Sequence, residues 1–264
     1  MSKDELLVIK VGDAFIFSGI AESMYGIVQK NVSFKIGDKE MIIEARGEGN
    51  SVLFRTVLWK QKFIEYTLNK GKDQTMFYLE IDVGHFRNAF KDTKKKVTAN
   101  ITVRKANPNI IRVARKTSGK ETIPLVKIPI ADDSEPVEYK YPDFDESNPI
   151  VSISSSEFDD ALKAIKKTKC ENTRVIISER FVKIKTTKVK GLLAQSFPFG
   201  DQEKPGKKLI ERKIPTKTLL NIMKCSKLHK MLRIYIASET DTIIFSIDAA
   251  SGGIHYVYLP TKKK

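Results

Sequence analysis

The sequence predicts an α+β protein of two similarly organised halves, each with two helices packed on antiparallel β-sheet. Three observations carry this. The order strand, helix, several strands, helix, several strands occurs twice, as a repeat of structure and not of residues. Between the helices, apolar residues alternate or cluster as half-buried strands require. Charge also divides the chain. Residues 1–130 hold 23 basic and 14 acidic side chains, residues 131–148 hold 1 and 7, and residues 149–264 hold 23 and 11. The acidic stretch contains Pro136 and Pro142, with Pro129 and Pro149 at its edges. Prolines at that density favour an extended connector. The expected division is a first domain over 1–130, a connector over 131–148 and a second domain over 149–264.

In the first half, Leu6–Val11 reads as a strand and Asp13–Val28 as a helix. Strands follow at Val32–Ile36, Lys39–Ala45, Ser51–Leu58 and Thr75–Ile81. Asp82 can cap a short helix to about Lys91, and Lys96–Val103, Asn109–Arg115 and Thr122–Ile130 return to strand. In the second half, Ile150–Ile153 is a short strand, and Ser154-Ser-Ser-Glu157 has the spacing of a capping box opening a helix to about Lys169. Arg174–Ser178, Phe181–Thr186, Leu192–Phe197 and Leu209–Ile214 read as strands. A second helix spans about Thr216–His229, before strands at Met231–Ile236, Thr242–Ile247 and Gly253–Leu259.

Composition narrows the function. Hydrophobic residues make up 41% of the 264, enough for a core, and no run approaches the length of a membrane span. Met1–Glu5 carries acids and no signal-peptide pattern. With only Cys170 and Cys225, disulfide frameworks and cysteine zinc sites are excluded, and a reducing compartment, cytosol or nucleus, is expected. The sequons at Asn31 and Asn100 are then accidental. His85, His229 and His255 are scattered without metal-ligand spacing, and no phosphate loop or nucleophile elbow is present. Neither a catalytic residue, a metal site nor a cofactor is expected. The net charge of +15 points to an anionic partner, nucleic acid before an anionic membrane.

The helices offer a place for it. At 100° per residue, Phe158, Leu162 and Ile165 share one face of their helix, with Lys163 and Lys167 opposite and Lys166 at the border. In the helix after Pro215, Leu219, Leu220 and Met223 turn inward, while Lys217, Asn221 and Lys224 share the other face, with Lys227 near it. After Asp82, Phe86 and Phe90 turn inward and Arg87, Asn88 and Lys91 outward, followed by Lys94-Lys95-Lys96. Three of four helices thus present cations away from the sheet. Lysines bind phosphates as mobile point charges, without reading sequence.

The C-terminal run Ser246-Ile-Asp-Ala-Ala-Ser-Gly-Gly-Ile-His-Tyr-Val-Tyr-Leu-Pro-Thr-Lys262 resembles the ending of proliferating cell nuclear antigen (PCNA) and related DNA sliding clamps. Ile153-Ser-Ser-Ser-Glu-Phe158 is similar to the motif that opens the clamps' second domain, and Gly84-His-Phe-Arg-Asn-Ala-Phe90 sits where their second helix falls. In element order the resemblance covers nearly the whole chain. In residue identity it is weak outside the C-terminal half, as for a divergent member of cellular or viral origin.

The resemblance implies two clamp domains per chain and three chains closed head-to-tail into a six-domain ring, helices lining the hole. The edges about Thr122–Ile130 and Leu192–Phe199 would pair across subunits. The residues carried to the hole are Arg87, Lys91, Lys163, Lys167, Lys217 and Lys224. With their neighbours Lys94, Lys95, Lys166 and Lys227 they make the candidate set for double-stranded DNA. The set for partner peptides is Arg46, Val137, Tyr139, Tyr141, Tyr258, Leu259 and Pro260. Implied partners are a DNA polymerase and other replication and repair proteins, a clamp loader and the chain itself as a homotrimer, with no membrane. The implied location is the nucleus, or a cytoplasmic viral factory.

Three departures keep alternatives open. The first helix has no Lys or Arg before Lys30. Arg46 stands where clamps have an apolar pocket residue. A net +15 also requires basic outer surfaces, whereas cellular clamps tend to be acidic. A clamp-fold factor that grips DNA directly as a monomer or dimer, in viral replication or late transcription, is the main alternative. A subunit of a heterotrimeric checkpoint clamp is another. A nuclease using Asp132, Asp133, Asp143, Asp145 and Glu146 is a third, though a metal site is hard to preorganise in an extended connector.

Overall fold

The computed structural model describes residues 4–69, 76–117, 122–131, 138–187, 194–237, 239–249 and 252–260. The chain runs β1 (Glu5–Val11), α1 (Phe15–Met24), β2 (Asn31–Ile36), β3 (Glu40–Arg46), β4 (Leu53–Trp59), β5 (Glu65–Leu68), β6 (Phe77–Asp82), α2 (Val83–Phe90), β7 (Thr98–Arg104), β8 (Asn107–Lys116) and β9 (Thr122–Pro129). It continues with β10 (Val151–Ser154), α3 (Ser155–Lys167), β11 (Asn172–Ser178), β12 (Phe181–Thr186), β13 (Ser196–Gly200), β14 (Lys208–Pro215), α4 (Thr216–Ile222), β15 (Met231–Ala237), β16 (Thr242–Ala249) and β17 (Gly253–Leu259). Residues 138–149 hold no helix or strand.

All strand pairs are antiparallel and fall into three sheets. The first is β5-β1-β7-β8-β9, from the first half, and the third is β13-β12-β11-β14, from the second. The middle sheet has eight strands, β10-β15-β16-β17-β4-β3-β2-β6, and draws on both halves. Its seam is the pair β17–β4, in register from Gly253↔Leu58 to Tyr258↔Leu53. The sequence predicted a sheet in each half; this fusion was not foreseen.

The helices form one layer. α2 contacts α1, α1 contacts α4 and the 3₁₀ turn Met223–Leu228, and both of these contact α3. Gly19 permits the central approach, since a Cβ there would lie 2.4 Å from Leu228 Cδ2. The core between helices and sheets is continuous, with Phe17, Phe86 and Phe158 almost fully buried. Phe17 stacks on Phe90 at 4.9 Å and meets Phe86 edge-on at 6.4 Å.

Helix ends show which local signals act. The Asp82 carboxylate accepts the His85 N–H (2.9 Å), so the expected cap on α2 forms. The expected capping box on α3 does not. Ser154 is the N-cap residue, but its hydroxyl lies against that of Ser156 (2.7 Å) and caps no backbone N–H. The helix expected over Thr216–His229 is α-helical only to Ile222 and then tightens to 3₁₀. α1 ends at Met24, two residues before Gly26, whose φ of +89° favours glycine. No helix among the described residues is long and apolar enough to cross a membrane.

Candidate nucleic-acid interface

The second half gathers its lysines. Lys163, Lys166 and Lys169 from α3 and the turn after it, with Lys217, Lys224 and Lys227 from α4 and the following 3₁₀ turn, line a groove of about 570 Å³. Five of these six belong to the expected set. Lys169 was missed: it follows the helix with φ of +53°, which the sequence does not reveal. Lys167 is exposed but lies outside the groove, while Lys166, expected at the border, lines it. Asp159 lies on the groove wall. With Asp160 it holds the Lys163 ammonium at 2.8 and 3.0 Å, lifting its pKa above the usual lysine range.

The first half is different. α1 has no basic residue, and its Glu22 reaches out of the helix to take Arg87 of α2 at 2.5 Å and Lys224 at 3.8 Å. Arg87 also lies over the Tyr25 ring, 4.4 Å from its centroid. Two expected DNA ligands are therefore partly neutralised by one carboxylate. Burial lowers the Lys224 pKa; Glu22 opposes this, while Arg87 and Lys227 add to it. Lys91, Lys94 and Lys95 remain exposed, Lys95 over the Phe15 ring.

The expected peptide-binding residues separate into two places. Arg46 ends β3 and lies 5.9 Å over the Tyr139 ring; both line an open cleft of about 470 Å³ with Lys30, Glu48 and Glu80. Tyr141 of the connector and Tyr258 are instead packed together, while Leu259, the next residue along β17, points into the main core. Tyr258 and Leu259 are almost fully buried. The Tyr141 ring lies tilted against that of Tyr258, centroids 4.9 Å apart, and its hydroxyl donates to the Phe54 carbonyl (3.4 Å). Phe144 sits among Tyr235, Tyr256 and Tyr258 at 5.0, 5.9 and 6.4 Å. The Tyr256 hydroxyl donates to the Glu146 carboxylate (2.9 Å). Burial raises the Tyr141 and Tyr256 pKa values strongly and pushes Tyr258 up to about 12. Beneath them, buried Glu44 pairs with Lys35 at 2.7 Å. Pro260 is half-buried at the end of this strand, and Val137 lies outside the described residues.

His255 is buried where the halves join. Ser23 Oγ donates to the Ile20 carbonyl (2.7 Å), so it accepts from His255 Nε2 (3.3 Å), and Thr56 Oγ1 donates to Nδ1 (2.7 Å). The histidine is thereby satisfied in its neutral form, and burial pulls its pKa down to about 3. Among the described residues, no group of three or more His, Cys, Asp or Glu side chains is placed to hold a metal.

No protein-family model and no curated protein matches the sequence. The fold, however, is similar to solved structures along almost its whole length. PCNA from Entamoeba histolytica superposes with a TM-score of 0.77 at 15% identity, covering 97% of this chain and 99% of that one. The PCNA2–PCNA3 complex from Sulfolobus tokodaii gives 0.76 at 14% identity, covering 96% and 98%. The resemblance in the C-terminal run and the repeated element order thus rest on a shared architecture, and the chain has the fold of the PCNA sliding clamps.

Proposed function

We propose that the protein is a DNA sliding clamp that acts without enzymatic chemistry, holding duplex DNA against its helical layer and tethering replication and repair proteins to it. The observation that carries this is the groove lined by six lysines between α3 and α4, on a fold similar to PCNA. Mobile ammonium groups neutralise phosphates without fixing a register, which is what sliding requires. In this reading the ring is a homotrimer, and the edge strands β9 and β13 pair between copies, which would also cover two exposed sheet edges. A polymerase would engage the outer face beside the connector, through the Arg46–Tyr139 cleft or by displacing Tyr141. The site of action is the nucleus, or a cytoplasmic viral factory.

A second reading is a monomeric or dimeric clamp-fold factor that grips DNA directly. It is favoured by Glu22, which weakens the cationic lining, and by Pro129 in β9 and Pro198 in β13, which leave those edges with residues that cannot donate to a ladder. Light scattering over a concentration series separates the two. A mass of three subunits, with retention on circular DNA that is lost on linearising, is expected of the ring. One or two subunits at every concentration overturns it in favour of the second reading.

A further inference from the structure

The face of the four-stranded sheet turned away from the helices carries an unusual row of charge. In this sheet Val175, Ile177, Val182, Ile184, Ile210 and Ile214 point into the core. Their neighbours along each strand point outward. In register across that outward face stand Lys185 of β12, Arg174 of β11 and Lys213 of β14, all exposed. Directly opposed strand residues lie only about 5 Å apart, and like charges so placed repel. Lys183 extends the row two residues along β12, on the same face. The acid in the next row, Glu211, is already held by Arg174 at 3.4 Å and by Lys208. Among the described residues neither Lys185 nor Lys213 has an ion-pair partner. Three cations set side by side on a rigid sheet cost stability to keep, so an anion that relieves them would bind there favourably.

The occupant follows from what the face lacks. Its apolar side chains are few: Ile176 at the centre is half-buried, and Leu209 is exposed on the edge strand β14. A protein segment docking there would find only Leu209, at the rim, as an apolar contact, whereas most protein–protein affinity resides in buried central anchors. A nucleic-acid backbone needs none, because phosphate neutralisation and counterion release supply its affinity. We propose that the Lys185–Arg174–Lys213 row is a second nucleic-acid contact, on the side of the second half opposite the lysine groove, which takes the phosphate backbone of a strand running outside the helical layer. It stands independently of the ring.

The test is equilibrium binding of labelled single-stranded and duplex oligonucleotides over a salt series. It compares the intact chain with R174Q/K185Q/K213Q and with a groove variant, K166Q/K217Q/K227Q. The outer variant is expected to weaken binding and reduce the slope of log affinity against log salt by about 2–3 on duplex, and about 2 on a single strand. Its melting temperature is expected to hold or rise, since repulsion has been removed. Unchanged affinity and slope on both probes overturn the proposal. So does a variant that keeps oligonucleotide binding but loses an acidic peptide spanning residues 131–148, which would assign the row to a protein partner. An effect of the outer variant with none from the groove variant would overturn the sliding reading and leave this one standing.

Discussion

α1 and α3 occupy corresponding places in the two halves and solve the same packing problem with different outward charge. α3 buries Phe158, Leu162 and Ile165 and sends out Lys163, Lys166 and Lys167 toward its C-terminal end, with Glu157, Asp159 and Asp160 in its first turns. α1 buries more of its surface, including Phe17, Ile20 and Met24, and sends out one acid. That acid holds a cation from α2 and another from the turn beyond α4. The fold therefore fixes where a helix lies and which stripe it buries, but leaves its outward charge free. The lysine groove lies in the second half, and Glu22 of the first half reaches its edge at Lys224.

The largest effect that can test this contrast comes from the core, where the halves should behave alike. Phe17→Ala and Phe158→Ala each remove a fully buried ring and are expected to cost about 3–5 kcal/mol. Because the β17–β4 seam joins the halves, denaturant unfolding of either variant should remain a single transition. Two separated transitions would show the halves to be energetically independent.

The next effect sits at the seam itself and shows only as pH falls. The folded pKa of His255 lies below its unfolded value of 6.5, so its contribution to stability is complete above that pH. Below it, the unfolded chain binds the proton first, and the contribution is lost at about 1.4 kcal/mol per pH unit as pH falls toward about 3. Denaturation midpoints across pH 4–7 should fall less steeply for His255→Gln than for the parent; equal slopes would mean the imidazole is not buried as described.

The smallest expected effect is the most direct probe of the charge asymmetry. Glu22→Gln releases Arg87 and Lys224 and should raise duplex affinity a few-fold at low salt, fading as screening grows. If affinity is unchanged, these two cations do not face DNA. The contrast would then have to be drawn from the lysine groove alone.

Much of this was legible in the residues. Alternation or clustering of apolar residues located most strands, and Phe181–Thr186, Gly253–Leu259 and the Asp82 cap came out as read. β5 was missed because Glu65–Leu68 is too short to show a period; it is a strand because β1 offers it an edge. The Asp159–Lys163 pair has i,i+4 spacing and could have been foreseen. Glu22 and Arg87 are 65 residues apart, and no local rule brings them together. The same holds for the Lys185–Arg174–Lys213 row, which depends on the register of three strands. The burial of Tyr258 was hidden for a related reason, since what covers it is a connector whose path no periodicity describes.

The seam also decides when the middle sheet can close as the protein is made. Thr56 and His255, which meet across it, are 199 residues apart. While the chain emerges from the ribosome, β3 and β4 can pair at once, but the far edge of β4 stays open until β17 is synthesised. Contacts this distant in sequence slow folding, and an open strand edge invites pairing with other chains. The nascent protein thus carries a sticky edge for most of its synthesis, and chains truncated before β17 are expected to aggregate rather than persist as a folded first half.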